Sequence, residues 1–307
     1  GGLTTWIAAK GYGMVSQAAN WMSPFIVLAF LACGGVASNQ LGIQSFSDFI
    51  AVWGEGSEPF PGQIKYTFWH VFLWSWFCNA AMHIGMSDLS VFRYAKSPQS
   101  GWTTAAGMYV GHYMAWIAAC LLYAVYLKSP EAAAFMAEGT APPVAPGPLA
   151  YNAIGWFGIV AVILAGWTTA NPTIYRSGLA FQAILPKWSI TKATVLAGSV
   201  ATIAGIFPAF AMKLLDFVAV YGFILAPVGA VIVFEYYFAD RYGVIKNYAE
   251  KSNIAFNKSV FFAWLISFAI FFGWSKTQGV FLSFLTLPAW LCCGTLFVIF
   301  SKIYQKK

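Results

Sequence analysis

The chain has 307 residues, of which 60% are hydrophobic and only 9% charged, with a mean hydropathy of +0.68. Soluble domains carry about 25% charged residues, so this composition excludes a water-soluble globule: too little polar surface exists to cover it. The formal net charge of +7 does not mark a nucleic-acid binder, because the basic residues fall between apolar blocks, as juxtamembrane charges do.

In chain order, the apolar blocks predict eight helices, over 16–37, 66–89, 104–127, 151–185, 191–207, 214–238, 260–274 and 280–304. Most approach the ~20 residues needed to cross a ~30 Å hydrocarbon core. Without water, each segment must satisfy its own backbone polar groups, which favours helices, and the alternation of barrel strands is missing. The fold class expected is therefore an all-α integral membrane protein, with residues 1–307 forming a single transmembrane domain. The chain opens Gly-Gly with no Met and no signal-peptide pattern, and the expectation is that an upstream part is missing.

The connections between blocks set an orientation. One set of ends holds Lys10, Arg93, Lys96, Arg176, Lys187, Lys192, Arg241, Lys246, Lys251, Lys258, Lys302, Lys306 and Lys307, which is 13 of the 17 basic residues. The other set holds Lys65, Lys128, Lys213 and Lys276. The positive-inside rule puts the first set in the cytoplasm, which makes both ends of the chain cytoplasmic and requires an even number of crossings. The long connections 40–65 and 128–148 read as outer surface loops. They carry Asp48, Glu55 and Glu58, and Glu131 and Glu138, respectively. Trp53, Tyr66, Trp69, Tyr126, Tyr151, Tyr236 and Tyr237 near block ends resemble interfacial belts. The five cysteines (Cys33, Cys78, Cys120, Cys292 and Cys293) lack metal-type spacing and read as packing thiols. His70 and His112 read as interfacial or packing residues.

Polar side chains at membrane depth are expensive and mark candidate sites. In the second block, Trp76, Asn79 and His83 are spaced three and four apart and share one face. A flat aromatic beside an amide suits a planar, hydrogen-bonding ligand; Asn79 and His83 bonded to a neighbouring helix is the other reading. The run Gly85-Met86-Ser87-Asp88 predicts a break or cap at the inner end. In the fourth block, Thr168 and Thr169 precede Asn171 and Pro172. Pro172 has no N–H, so it frees the carbonyl of Thr168. Hydroxyls and free carbonyls are oxygen ligands for a hard cation such as sodium, and opened backbone beside Pro is a transporter device. Alternatively, both hydroxyls bond carbonyls of their own helix and the Pro only kinks it. No carboxylate lies at mid-depth; Asp88 is the nearest, and His83 is a titratable neighbour.

Taken together, Trp167-Thr168-Thr169 with Asn171, then Leu225-Ala226-Pro227-Val228-Gly229-Ala230-Val231 leading to Glu235-Tyr236-Tyr237-Phe238, resemble the nucleobase–cation symporters, the cytosine/purine/uracil/thiamine/allantoin permeases. Asp88 and Arg93-Tyr94-Ala95 resemble that family's acidic and Arg-Tyr-Ala motif after its sixth helix. Here Pro227-Val228-Gly229 is one residue shorter than the family's stretch, Glu235-Tyr236 replaces Asp-Tyr, and Ala170 stands where the family places the Asn, with Asn171 next. The resemblance implies twelve helices in the LeuT-type inverted-repeat architecture. This chain then holds the fifth helix, the second repeat and the last two helices, with about four helices missing. It implies Ala165, Thr168 and Thr169 as sodium ligands, Trp76 (or Phe77, one register step on) stacking on the substrate ring, and Asn171 as a substrate contact; Asn79, on the face of Trp76, is a candidate contact from its position alone.

The function expected is cation-coupled uptake of a nucleobase or related planar heterocycle (cytosine, another pyrimidine, or a purine) by alternating access. The coupling ion is sodium or, second, a proton, with no other cofactor. The partners are the small-molecule substrate and membrane lipid, without nucleic acid. The carrier is expected as a monomeric permease in the cell (inner or plasma) membrane, with a cytoplasmic C-terminus. The alternatives are a symporter of the same fold for an amino acid or vitamin, a channel, or a membrane enzyme. No paired carboxylates, Ser/His/Asp set or metal cluster is apparent for an enzyme.

Overall fold

A computed structural model describes residues 1–53, 65–84, 88–207 and 214–305, the side chains of 81, 82 and 214–216 excepted. Every regular element among them is a helix. In chain order these are α1 (Gly2–Ala9), α2 (Tyr12–Leu41), α3 (Phe46–Trp53), α4 (Phe68–Met82), α5 (Leu89–Phe92), α6 (Ser100–Tyr126), α7 (Pro130–Ala137), α8 (Pro146–Ile154), α9 (Trp156–Ile184), α10 (Ile190–Ala204), α11 (Leu214–Tyr242), α12 (Tyr248–Lys251), α13 (Lys258–Gln278) and α14 (Leu282–Tyr304).

Six helices (α2, α6, α9, α11, α13 and α14) are long and apolar enough to cross a membrane. Their outward surfaces are hydrocarbon: only 11% of the most apolar stretch of α6 is buried, and Trp21, Leu28 and Leu31 on α2 lie exposed. In water such surface would cost roughly 25 cal/mol per Å², so the chain is an all-α membrane protein. The 191–207 block forms α10, a shorter apolar helix of 15 residues. The 66–89 block is also shorter than expected. Its helix α4 has 15 residues and gives way to a wider π-type turn at His83 and Ile84.

Other departures from the expected blocks have local causes. The 151–185 block is two helices, because Gly155 adopts φ 61°, ψ −143°, a conformation that glycine reaches without a Cβ penalty. The outer connections also fold in part. Ser45 and Asp48 form a reciprocal cap at the start of α3: the N–H groups of Gln44 and Ser45 donate to Asp48 Oδ2 at 3.0 and 2.8 Å, and the N–H of Asp48 donates to Ser45 Oγ at 3.2 Å. The Gln44 N–H, with Ser45, holds the Asp48 carboxyl below the usual range. Ser129 caps α7 through the N–H of Ala132, with Pro130 in its first turn. Glu55 and Glu58 lie outside the described residues.

The helices form two compact units: residues 1–65 with 95–206, and 66–94 with 207–307. In the first, α1, α2, α6, α8, α9 and α10 pack together. Gly178 of α9 lies so close to Thr194 of α10 that a Cβ there would overlap it, the small-residue approach that drives helix association in lipid. In the second, α4, α11, α13 and α14 pack around Ala226, Ala230, Trp290, Cys293 and Phe297. Two polar bonds cross between these helices: Trp264 Nε1 donates to the Ile224 carbonyl at 2.8 Å, and Ser267 Oγ to the Ala289 carbonyl at 2.7 Å. Cys33 and Cys293 are buried, while Cys120 is exposed. His70 joins the cap of α4 through Thr67 and packs on Phe284, and His112 stacks on Trp116.

Gly294 faces the ring of Phe234, and a Cβ there would overlap it. Gly294→Ala is expected to destabilise the second unit by about 1–3 kcal/mol. Gly273→Ala, whose Cβ meets open space, should be neutral or slightly stabilising. Thermal unfolding in detergent micelles compares the two.

Candidate functional site

In the first unit the candidate stretch lies in α9, which runs through Pro172 as one helix. Thr168 Oγ1 donates to the carbonyl of Ala165 at 2.9 Å, and Thr169 Oγ1 donates to the same carbonyl at 3.2 Å. The hydroxyl protons are thus committed to their own helix, as one of the two readings anticipates. Their lone pairs point elsewhere and remain ligand-capable. Thr168 is half-buried and Thr169 exposed. With no N–H at Pro172, the Thr168 carbonyl lacks its helical donor.

Asn171 is different. It is 1% exposed, and among the described residues neither its amide nitrogen nor its oxygen has a hydrogen-bond partner. One turn earlier, the indole N–H of Trp167 is also buried and unpartnered. The buried stripe of α9 continues from Asn171 through Ile174, Tyr175 and Gly178, and Trp167, Ile174 and Tyr175 pack with Ile7 and Ala8 of α1 and Val15 of α2. A buried polar group left unpaired costs about 1–3 kcal/mol, so a wholly unpaired carboxamide at this depth is the least economical feature of α9. Sequence reasoning reached Asn171 through the hydroxyl pair before it. It missed the Trp167 N–H, although a spacing of four residues from Asn171 was in plain view.

A cavity of about 360 Å³ borders this stretch at Ala165 and Gly166. Its other walls come from α2 (Ala29, Cys33), α6 (Ala118) and α8 (Leu149). No hydroxyl or amide side chain lines it, and neither Thr168 nor Asn171 does.

In the second unit, Trp76 packs edge-on against Trp290, ring centroids 5.8 Å apart and planes at 82°, with its indole N–H buried and unpartnered. Phe77 is 4% exposed and tilts against Trp74. Asn79 Nδ2 donates to the Ser75 carbonyl at 2.8 Å, a bond within its own helix. His83 Nδ1 sits 3.0 and 3.1 Å from the two carboxylate oxygens of Asp88. The geometry suits an Nδ1–H tautomer that donates to the carboxylate. Asp88 begins α5; of the expected break, Gly85, Met86 and Ser87 lie outside the described residues.

Glu235 of the Glu235-Tyr236 pair has a plain structural task. Glu235 Oε1 accepts from the N–H of Asn247, at 3.0 Å, which stands in the left-handed conformation at φ 54°. Gln305 Oε1 accepts from the N–H of Ile245 at 2.7 Å. The loop after α11 is thereby tied to α11 and to the residue that follows α14.

The fold and these buried polar groups define a class: a multi-pass α-helical membrane protein with unpaired polar atoms inside a Pro-containing span. Comparison with family models, curated proteins and solved structures finds no match for this chain.

Asn171→Leu removes the unpaired amide with little change in volume. It is expected to raise the unliganded protein's stability by roughly 1–3 kcal/mol, because exchanging an unsatisfied polar group for an apolar one of similar shape removes a desolvation penalty. Thermal unfolding of the purified protein measures this, and a loss of stability would mean that Asn171 is bonded within the fold.

Proposed function

We propose that the chain forms part of a secondary active transporter that moves a nucleobase or related planar heterocycle together with a coupling cation, sodium first, by alternating access. The observation that carries the reading is the buried, wholly unpaired carboxamide of Asn171 beside Pro172 in a membrane-length helix. A carboxamide both donates and accepts, matching the edge of a heterocyclic base, and a ligand that completes those bonds offsets the penalty of the buried, unpaired amide. The resemblance of Trp167-Thr168-Thr169, the Pro227 stretch and the Asp88 and Arg93-Tyr94-Ala95 motif to the nucleobase–cation symporters supplies the substrate class.

In this reading Ala165, Thr168 and Thr169 contribute oxygen ligands to sodium: the carbonyl of Ala165, the lone pairs of both hydroxyls and the carbonyl that Pro172 leaves free. Trp76 stacks on the base. It is preferred to Phe77, whose ring is enclosed by its own unit. Asn171 bonds the base, assisted by the Oδ1 of Asn79, since its Nδ2 is already donated. The carrier sits in the cell membrane with its C-terminus in the cytoplasm, as the distribution of Lys and Arg directs. Coupling requires each ligand to bind one conformation better than the other, because equal affinity shifts nothing.

The paired change Thr168→Ala, Thr169→Ala is expected to flatten the sodium dependence of uptake while sodium-free substrate binding persists. Uptake of labelled bases by the intact protein in proteoliposomes, over a sodium series, reads this out. An unaltered sodium curve removes the proposed ion site. Asn171→Ala should weaken binding of the base about tenfold or more, the equivalent of ~1.4 kcal/mol.

A proton is the second candidate for the coupling ion, favoured by the His83–Asp88 contact. A proton gradient that drives uptake without sodium, and fails to do so in His83→Gln, would assign the coupling to that pair.

A further inference from the structure

Away from these residues, α11 and α14 enclose a groove of about 380 Å³. Phe234, Phe238 and Tyr242 line it from successive turns of α11, and Val298, Ile299 and Lys302 from α14. Eight residues at ~1.5 Å rise make it ~12 Å long. Thr295 also lines it, but its hydroxyl donates to the Leu291 carbonyl at 2.8 Å, so the walls make no polar demand. The end nearest the helix termini is cationic. Lys302 Nζ lies 5.2 Å from the centre of the Tyr242 ring, and the Arg241 guanidinium lies 5.8 Å from it. Among the described residues no carboxylate pairs with either cation; Asp240 is engaged by Lys246 at 2.7 Å.

We propose that this groove binds one anionic phospholipid, with an acyl chain along Phe234, Phe238 and Ile299 and the phosphate at Lys302 and Arg241. The charge pattern selects the occupant. An apolar trough ending in two uncompensated cations complements an amphiphile with a negative head, and basic pockets between membrane helices bind such head groups. A free phosphate would leave the apolar walls empty. A second copy docked through the same face about a two-fold axis would bring like charges together. The close approach of the Phe234 ring to Gly294 sets the spacing of the two helices beside the groove.

Native mass spectrometry of the intact protein, released from micelles doped with phosphatidylglycerol or phosphatidylcholine, tests the assignment. Wild type should retain a single phosphatidylglycerol and no phosphatidylcholine. Lys302→Gln and Arg241→Gln should each lower retention about fivefold, since each basic residue near a lipid surface contributes an attraction of that order. Ile299→Trp should abolish retention by filling the trough while both charges remain. Millimolar inorganic phosphate should not displace the lipid. Equal retention of the two lipids by wild type overturns the proposal without any variant. So does unchanged phosphatidylglycerol retention in Ile299→Trp or in the paired charge variant, or displacement by phosphate alone.

Discussion

Hydrocarbon offers no hydrogen bonds, and most of this structure follows from that single deprivation. Each span must close its own backbone ladder, so the chain is helical. Polar side chains must likewise find their partners inside the protein. In the second unit, Trp264 and Ser267 of α13 donate to the carbonyls of Ile224 in α11 and Ala289 in α14 and tie the three helices together. In the first unit, beside Pro172, no hydrogen-bond partner among the described residues serves the Asn171 carboxamide or the Trp167 indole. Among the described residues Asn171 is the one buried carboxamide with both its donor and its acceptor unmet, and that sets it apart as the candidate site.

Much of the architecture was legible in the sequence, because the energetic signal for a span is crude: about twenty apolar residues in a row. Six of the eight expected blocks yield helices of spanning length, and their positions match. What the blocks could not convey was where an apolar run bends. Gly155 sits amid apolar neighbours, and nothing in its surroundings distinguishes a glycine packed inside a helix from one turning at φ 61°. The split of 151–185 into α8 and α9 was therefore invisible, as was the π-type turn that ends α4 at His83. The short helices α3 and α7 lay in segments read as loops, although the Ser45/Asp48 cap and the Ser129-Pro130 start are local signals that chain reading can detect.

The candidate site was legible by residue type and less so by state. Thr168, Thr169, Asn171 and Pro172 declare themselves as polar or helix-interrupting groups at depth. Whether a hydroxyl is spent on its own helix depends on rotamer, which sequence does not encode, and both threonines turn out to donate to one carbonyl. Glu235 shows the opposite trap. It belongs to a motif with a functional resemblance, yet its carboxylate holds a backbone N–H of the following loop.

That small tie has a mechanical corollary. With Glu235 gripping Asn247 and Gln305 gripping Ile245, the C-terminal ends of α11 and α14 are laced through one short loop and are constrained to travel as a pair. Bending of α11 is then left to the part of the helix before that tie. Pro227, fully buried in that helix and without an N–H to give, is where the rod is weakest in bending.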